Sequence, residues 1–326
     1  MTSVTEPPRG LLRSVVSVAL TAAIFALILG RVPLPALAAA LHDADRGRFL
    51  SLMIPNTLFY FAWDTLVLTI AVRWFHGPVE YRALLPVRAA SYVVGFFNTN
   101  LGRGAMAGYL SRRLHAPFLE LGSTVLFLVL TEYTQLVLWA MLGLLGFRTD
   151  VSRSLIAVAA TVTLFWLLVQ WLVAPRSWSI SRTFRLATPK RYLATALLRM
   201  PMFLVSLVLH YYAAHAFAIH IPFSAMLTFL PVVFMIAALP VTVGHLGTTQ
   251  AAWIFFFSQY AAAPQLLAFS LAAHLVFTFT RAACGIFWLP AAYAELVPQA
   301  GAPALTASTT ISSLVSRAAA TGCECQ

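Results

Sequence analysis

Apolar runs long enough to cross a bilayer recur along the chain, separated by short polar breaks. A helix needs about 20 apolar residues to span the hydrocarbon layer. By that measure the pattern predicts spans at about 13–30, 49–72, 117–146, 154–174, 192–214 and 265–291, with a short interfacial helix in the loop that follows the first. Two further apolar stretches, about 84–110 and 222–262, are interrupted by polar residues and glycine. The first breaks at NTNLGRGAMAG. The second breaks at LPVTVGHLGTTQAAW, which lies between FSAMLTFLPVVFMIAA and WIFFFSQYAAA. An unpaired backbone group at membrane depth costs several kcal/mol, so each break needs protein or water around it.

Charge then assigns sides. Basic residues concentrate in cytoplasmic loops, here Arg9 and Arg13, Arg112 and Arg113, and the run from Arg176 to Arg191. All three fall on one side if both interrupted stretches enter and leave the membrane on the same face. The expected fold is therefore all-α: a polytopic membrane helical bundle of about six full spans plus two re-entrant helical hairpins. The order span, span, hairpin, span occurs twice with opposite orientation, an inverted repeat with halves at about 10–147 and 154–295. The membrane domain covers 1–295, and 296–326, rich in Ala, Ser, Thr and Gly, reads as a disordered tail. The competing count makes both stretches full spans, giving eight crossings and moving Arg112 and Arg113 to the far side. The first apolar run resembles a signal peptide, and a retained membrane helix is the reading taken. The expected location is a bacterial-type plasma (inner) membrane, multi-pass, with both termini cytoplasmic.

Composition supports this class. The chain is 60% hydrophobic and 10% charged, against roughly 25% charged in average soluble domains. Its net charge of +11 is scattered between apolar segments, which points to anionic lipid and away from nucleic acid. Three cysteines give no disulfide framework, and Cys323 and Cys325 form an isolated C-x-C. No metal-ligand spacing and no cofactor motif occurs. Ser111 and His115 are the nearest approach to a nucleophile and base, without any supporting motif. The chain is not expected to be an enzyme, and association with a second copy is left open.

Ionisable residues within membrane segments are costly and face a cavity or a partner. They are Asp64, Arg103, Glu132, Arg199, His245, His274 and Arg281. Arg103 and Arg281 are assigned to an anionic head-group. Helices starting after Gly102 and Gly247 would aim backbone N–H groups at it, with Gly104 and Gly244 allowing close approach. Asn98, Asn100, His245, Thr248, Thr249 and Gln250 complete the expected polar pocket. Asp64 and Glu132 read either as a proton relay or as structural partners of an arginine. Arg199 lies close enough to the basic loop to reach head-groups.

Leu239-Pro240, Gly244, Leu246-Gly247 and Gln250-Ala251 resemble the L-P-x-x-x-G-G-x-G-x-x-E-A signature of the flippase-like membrane family, which includes the membrane region of bacterial lysylphosphatidylglycerol synthases. The stretch from Gly102 to Arg113 resembles that family's first polar motif. The resemblance implies two re-entrant hairpins and movement of lipid between leaflets. Three departures stand out: His245 replaces a glycine, Gln250 replaces the glutamate, and no Gly-Glu pair occurs near 102–108. They argue against lysyl-phosphatidylglycerol as cargo. The expected function is that of a flippase-like transporter for an amphiphile with a polar or anionic head-group. A membrane scaffold without transport is the alternative, followed by a lipid-modifying membrane enzyme.

Overall fold

The computed structural model describes residues 19, 21–30, 32–97, 99–147, 164, 181–238 and 246–296. Among the described residues every regular element is helical. Helices α1 (Thr21–Leu29) and α2 (Leu34–Asp43) meet at 87°. Pro33 and Pro35 stand at that corner, where a missing N–H costs nothing because a first helical turn has no acceptors for it. The short helix expected in this loop is α2. Helix α3 (Arg46–Phe75) is capped by Asp45, whose carboxylate accepts from the Arg48 N–H at 3.0 Å. It is followed by α4 (Tyr81–Phe97), α5 (Thr99–Leu114) and α6 (Phe118–Phe147). The second half contains α7 (Arg182–Leu186), α8 (Pro189–His215), α9 (Phe223–Ala237), α10 (Thr248–Phe257) and α11 (Ala263–Leu296).

Four helices are long and apolar enough to cross a membrane: Arg46–Phe75, Phe118–Gly146, Pro189–His215 and Ala263–Tyr293. Joining α1 to α2 as one broken span would make five. These match four of the six expected spans. The expected span at 154–174 lies outside the described residues apart from Leu164, as does the tail beyond 296.

In each interrupted stretch the two described helices pack against each other. Helix α5 returns along α4, with Gly102 packed against the Ser91 carbonyl and Gly95 so closely that a Cβ would sit 2.7 Å from Ser91 O. Helix α10 returns along α9, stacking Phe256 on Phe229 at 5.3 Å. Helices α3 and α8 run antiparallel: Ser206 Oγ donates to Asn56 Oδ1 at 2.9 Å, and Trp63 Nε1 donates to the Leu198 carbonyl at 2.6 Å.

Four further contacts form two matched pairs. Helix α4 packs on α11 and α9 on α6, while α5 packs on α6 and α10 on α11. Each of the first two crossings is tight at one glycine. A Cβ on Gly285 would lie 2.7 Å from Ala89 O, and one on Gly143 would lie 2.7 Å from Thr228 Cα.

The core divides into two large clusters and two small ones, with Ile28, Val32 and Leu267 in one small cluster and Phe61, Ala89 and Tyr92 in the other. Phe49 and Met53 of α3 join one cluster with α8, α9, α10 and α11, centred on Leu230, Phe257 and Phe269. The other end of α3, Val67 to Phe75, joins a second cluster with α4, α5 and α6, centred on Leu84, Leu110 and Phe127. The polar residues of α3 lie between these two apolar masses.

Candidate functional site

A partly open cavity of about 360 Å³ fills that middle region, a size within the range of small-ligand sites. On α3 it is lined by Met53, Asn56, Tyr60, Asp64 and Leu68; on α8 it is lined by Arg199, Met202, Phe203, Ser206 and His210, and all but Leu68 and Phe203 fall at the same intervals. The pattern recurs in the hairpins, where Arg88, Ser91 and Tyr92 of α4 answer to Phe234, Ala237 and Ala238 at the end of α9. It recurs again in Leu128, Glu132, Gln135 and Leu136 of α6 against Ser270, His274, Phe277 and Thr278 of α11. Helix periodicity accounts for spacings of three and four. It does not by itself make corresponding helices of the two halves face the cavity at corresponding positions.

The wall carries two carboxylates and four arginines. Arg88 of α4 forms a short ion pair with Asp64 and is 19% exposed. Arg199, 4% exposed, reaches Glu132 at 3.1 Å and Asp64 at 3.7 Å. Tyr60 donates to the other oxygen of Glu132 at 3.0 Å. This network fastens α3, α4, α6 and α8 together and consumes both acids. Arg103 and Arg281 have no carboxylate within ion-pair distance among the described residues. Arg281 instead lies over the Tyr92 ring, 3.5 Å from its centroid, and 4.9 Å from that of Phe277. Among the described residues the cavity wall thus carries four arginines against two acids. Several polar atoms in its wall are buried without a hydrogen-bond partner among the described residues: the Nε of Arg88, Arg199 and Arg281, and the Tyr92 hydroxyl.

The sequence-derived site residues are placed as follows. Arg103, Gly102, Thr249, Arg281, Asp64 and Glu132 line the cavity. Gly104 lies instead in an apolar groove of about 240 Å³ between α5 and α6, which shares Arg103 with the cavity. Gly247 is the N-cap of α10 with φ of +90°, and its Cα faces Ile24 and Phe25 of α1. Thr248 opens α10 but is not part of the cavity wall. Gln250 turns inward on its own helix, its Oε1 accepting from the Gly247 N–H at 2.6 Å. It is a cap and not part of the cavity wall. Asn100 falls in the first turn of α5, while Asn98, Gly244 and His245 lie outside the described residues.

Two expectations need correction. Helix α5 begins at Thr99, so Gly102 is inside the helix and its N–H does not mark a helix start. The tight packing of Gly102 on Ser91 is the physical reason for a glycine there. Arg199 does not reach outward to head-groups, because its side chain is buried between Asp64 and Glu132. Arg88, Tyr60 and Tyr92 were missed altogether.

No family model matches the chain, and no curated protein matches it either. The site must therefore be interpreted from its own chemistry. Excess guanidinium charge in a space of low polarity is costly, and an anion entering the cavity would offset that cost. His210 also lines the cavity: its Nδ1 donates to the Ser206 carbonyl at 2.7 Å and its ring stacks on Trp253. Ser111, half of the one nucleophile-base candidate, donates its hydroxyl to the Ala116 carbonyl at 2.7 Å at the end of α5.

Proposed function

We propose that the protein is a carrier that moves an amphiphile with an anionic head-group between the leaflets of a membrane. The observation that carries this reading is the cavity whose described wall has two more arginines than acids, between helices long and apolar enough to cross a membrane. A scaffold would pair its buried charges internally, as Asp64, Glu132, Arg88 and Arg199 do, and would have no use for Arg103 and Arg281 without a carboxylate among the described residues. The flippase-like resemblance of the hairpin sequences agrees with this reading.

In the same reading the two halves are an inverted repeat of six spans and two re-entrant hairpins. The antiparallel pairing of α3 with α8, the exchange of α4–α11 for α9–α6, and the corresponding lining positions support it. A head-group held between two such halves can be offered to either side by rocking one against the other.

The test is reconstitution into sealed vesicles of neutral phospholipid carrying a trace of tail-labelled lipid, with dithionite bleaching of the outer leaflet. Phosphatidylglycerol analogues should exchange faster than phosphatidylcholine analogues. Arg103→Ala with Arg281→Ala should return exchange to the rate of protein-free vesicles. Wild-type protein that never exceeds the protein-free rate sinks the proposal.

A further inference from the structure

Ala89 and Gly285 draw α4 and α11 together, and three neighbouring polar groups meet at that crossing. Arg88 follows directly before Ala89, Tyr92 is one turn further on α4, and Arg281 is one turn before Gly285 on α11. The Tyr92 ring is held by both guanidiniums, with Arg281 at 3.5 Å and Arg88 at 5.1 Å from its centroid. Tyr92 is 6% exposed, and its hydroxyl has no hydrogen-bond partner among the described residues. The Nε atoms of both arginines are buried and unpartnered as well. A buried hydroxyl left unmade costs about 1–3 kcal/mol, so a ring fixed by two cations with its hydroxyl idle is the mark of an absent acceptor.

We propose that Tyr92 and Arg281, backed by Arg88, form a seat for the phosphate group of a lipid head-group. This rests on the carrier reading and names the chemistry of its cargo. The donors come from two helices, Tyr92 and Arg88 from α4 and Arg281 from α11, and all three line the cavity. A tetrahedral phosphate presents charged oxygens to both at once, whereas a planar carboxylate favours one in-plane fork on a single guanidinium. The face of Arg281 is already taken by Tyr92 and Phe277, which leaves its edge for the ligand. Arg88 is partly neutralised by Asp64, so Arg281 supplies the charge and Tyr92 the discriminating hydrogen bond.

The test uses the full chain purified in an uncharged maltoside. Binding of dihexanoyl-phosphatidylglycerol, inorganic phosphate and acetate is measured by calorimetry, and melting temperature by intrinsic fluorescence. Tyr92→Phe keeps the ring between both guanidiniums and removes only the hydroxyl. It should weaken the short-chain lipid about tenfold, the scale of one hydrogen bond to a charged group, with a melting temperature no lower than that of the wild type. Arg281→Gln should abolish binding, and acetate should not compete. Unchanged lipid affinity in Tyr92→Phe overturns the seat. Inorganic phosphate binding as tightly as the lipid overturns the lipid as its source, and acetate displacing the lipid overturns phosphate selectivity. A wild type that moves lipid while Tyr92→Phe binds normally leaves the carrier reading intact without this seat. A wild type that binds through Tyr92 but moves nothing leaves the seat and removes the carrier.

Discussion

Asp64 of α3 and Glu132 of α6 are held by one guanidinium, that of Arg199 on α8. Three helices thus meet at a side chain only 4% exposed. Removing one member of a buried ion pair costs about 3–5 kcal/mol, because the partner is left charged and desolvated. Arg199→Met should therefore lower the melting temperature sharply. Glu132→Gln added to it should recover part of the loss, since Asp64 keeps Arg88 and Tyr60 can still donate to the amide oxygen. A double-mutant cycle on detergent-solubilised protein reads this coupling. Strictly additive effects would show that Arg199 and Glu132 do not interact.

The paired crossings predict a contrast among glycines. Gly285→Ala and Gly143→Ala place a methyl group against the backbone of Ala89 and Thr228, which cannot yield without moving a helix. Overpacking of this kind costs about 1–3 kcal/mol. Gly104→Ala and Gly122→Ala point into open space and should be neutral or slightly stabilising, since alanine favours the helix by about 1 kcal/mol over glycine. Melting temperatures of the four single variants decide it. Equal effects at all four positions would show that the crossings are looser than the structure has them.

The four helices long and apolar enough to cross a membrane were legible because each comes from an apolar run of the length a bilayer requires. The breaks between α4 and α5 and between α9 and α10 were legible because glycine and polar residues interrupt apolar runs at NTNLGRG and VTVGHLGTT. Charges deep in a span were equally visible, which is how Asp64, Glu132, Arg103 and Arg281 were found. Arg88 was not, because it follows Arg82 and reads as the end of a polar segment; only the packing of α4 on α3 turns it toward Asp64. Arg199 was misjudged for the same reason, being near a basic loop in sequence yet buried in space. Tyr92 gave no signal, because an aromatic residue in an apolar helix becomes special only when two cations approach its faces. Gln250 looked like a pocket residue, but local geometry made it a cap: a side-chain oxygen three residues into a helix reaches the N-cap N–H.

Acid should loosen the end of α3. His76, just beyond that helix, accepts on Nδ1 from Arg182 at 3.3 Å, so its proton is on Nε2, which donates to Thr124 Oγ1 at 2.7 Å. Burial, followed by the Arg182 charge, lowers its pKa below the ordinary 6.5, against a smaller opposing pull from Glu120. The folded protein therefore binds less proton than the unfolded chain once the pH falls below about 6.5. Stability should hold near neutrality, decline as the pH falls through that value, and level off below the folded-state pKa. His76→Gln should remove this part of the decline in melting temperature between pH 7 and pH 5. An identical pH profile in the variant would rule His76 out as the source.

The antiparallel pairing of α3 and α8 has a consequence for topology that labelling can test. If both helices span the membrane, their C-terminal ends emerge on opposite faces. Glu80 follows α3 and His220 follows α8, and both are exposed. With Cys284, Cys323 and Cys325 replaced by serine, single variants Glu80→Cys and His220→Cys in sealed, uniformly oriented vesicles should react with a membrane-impermeant maleimide from opposite sides. Labelling of both from one side would mean that α3 and α8 do not both cross. The inverted relation between the halves would then be lost, and with it the reason for a head-group in the middle to be offered to each leaflet in turn.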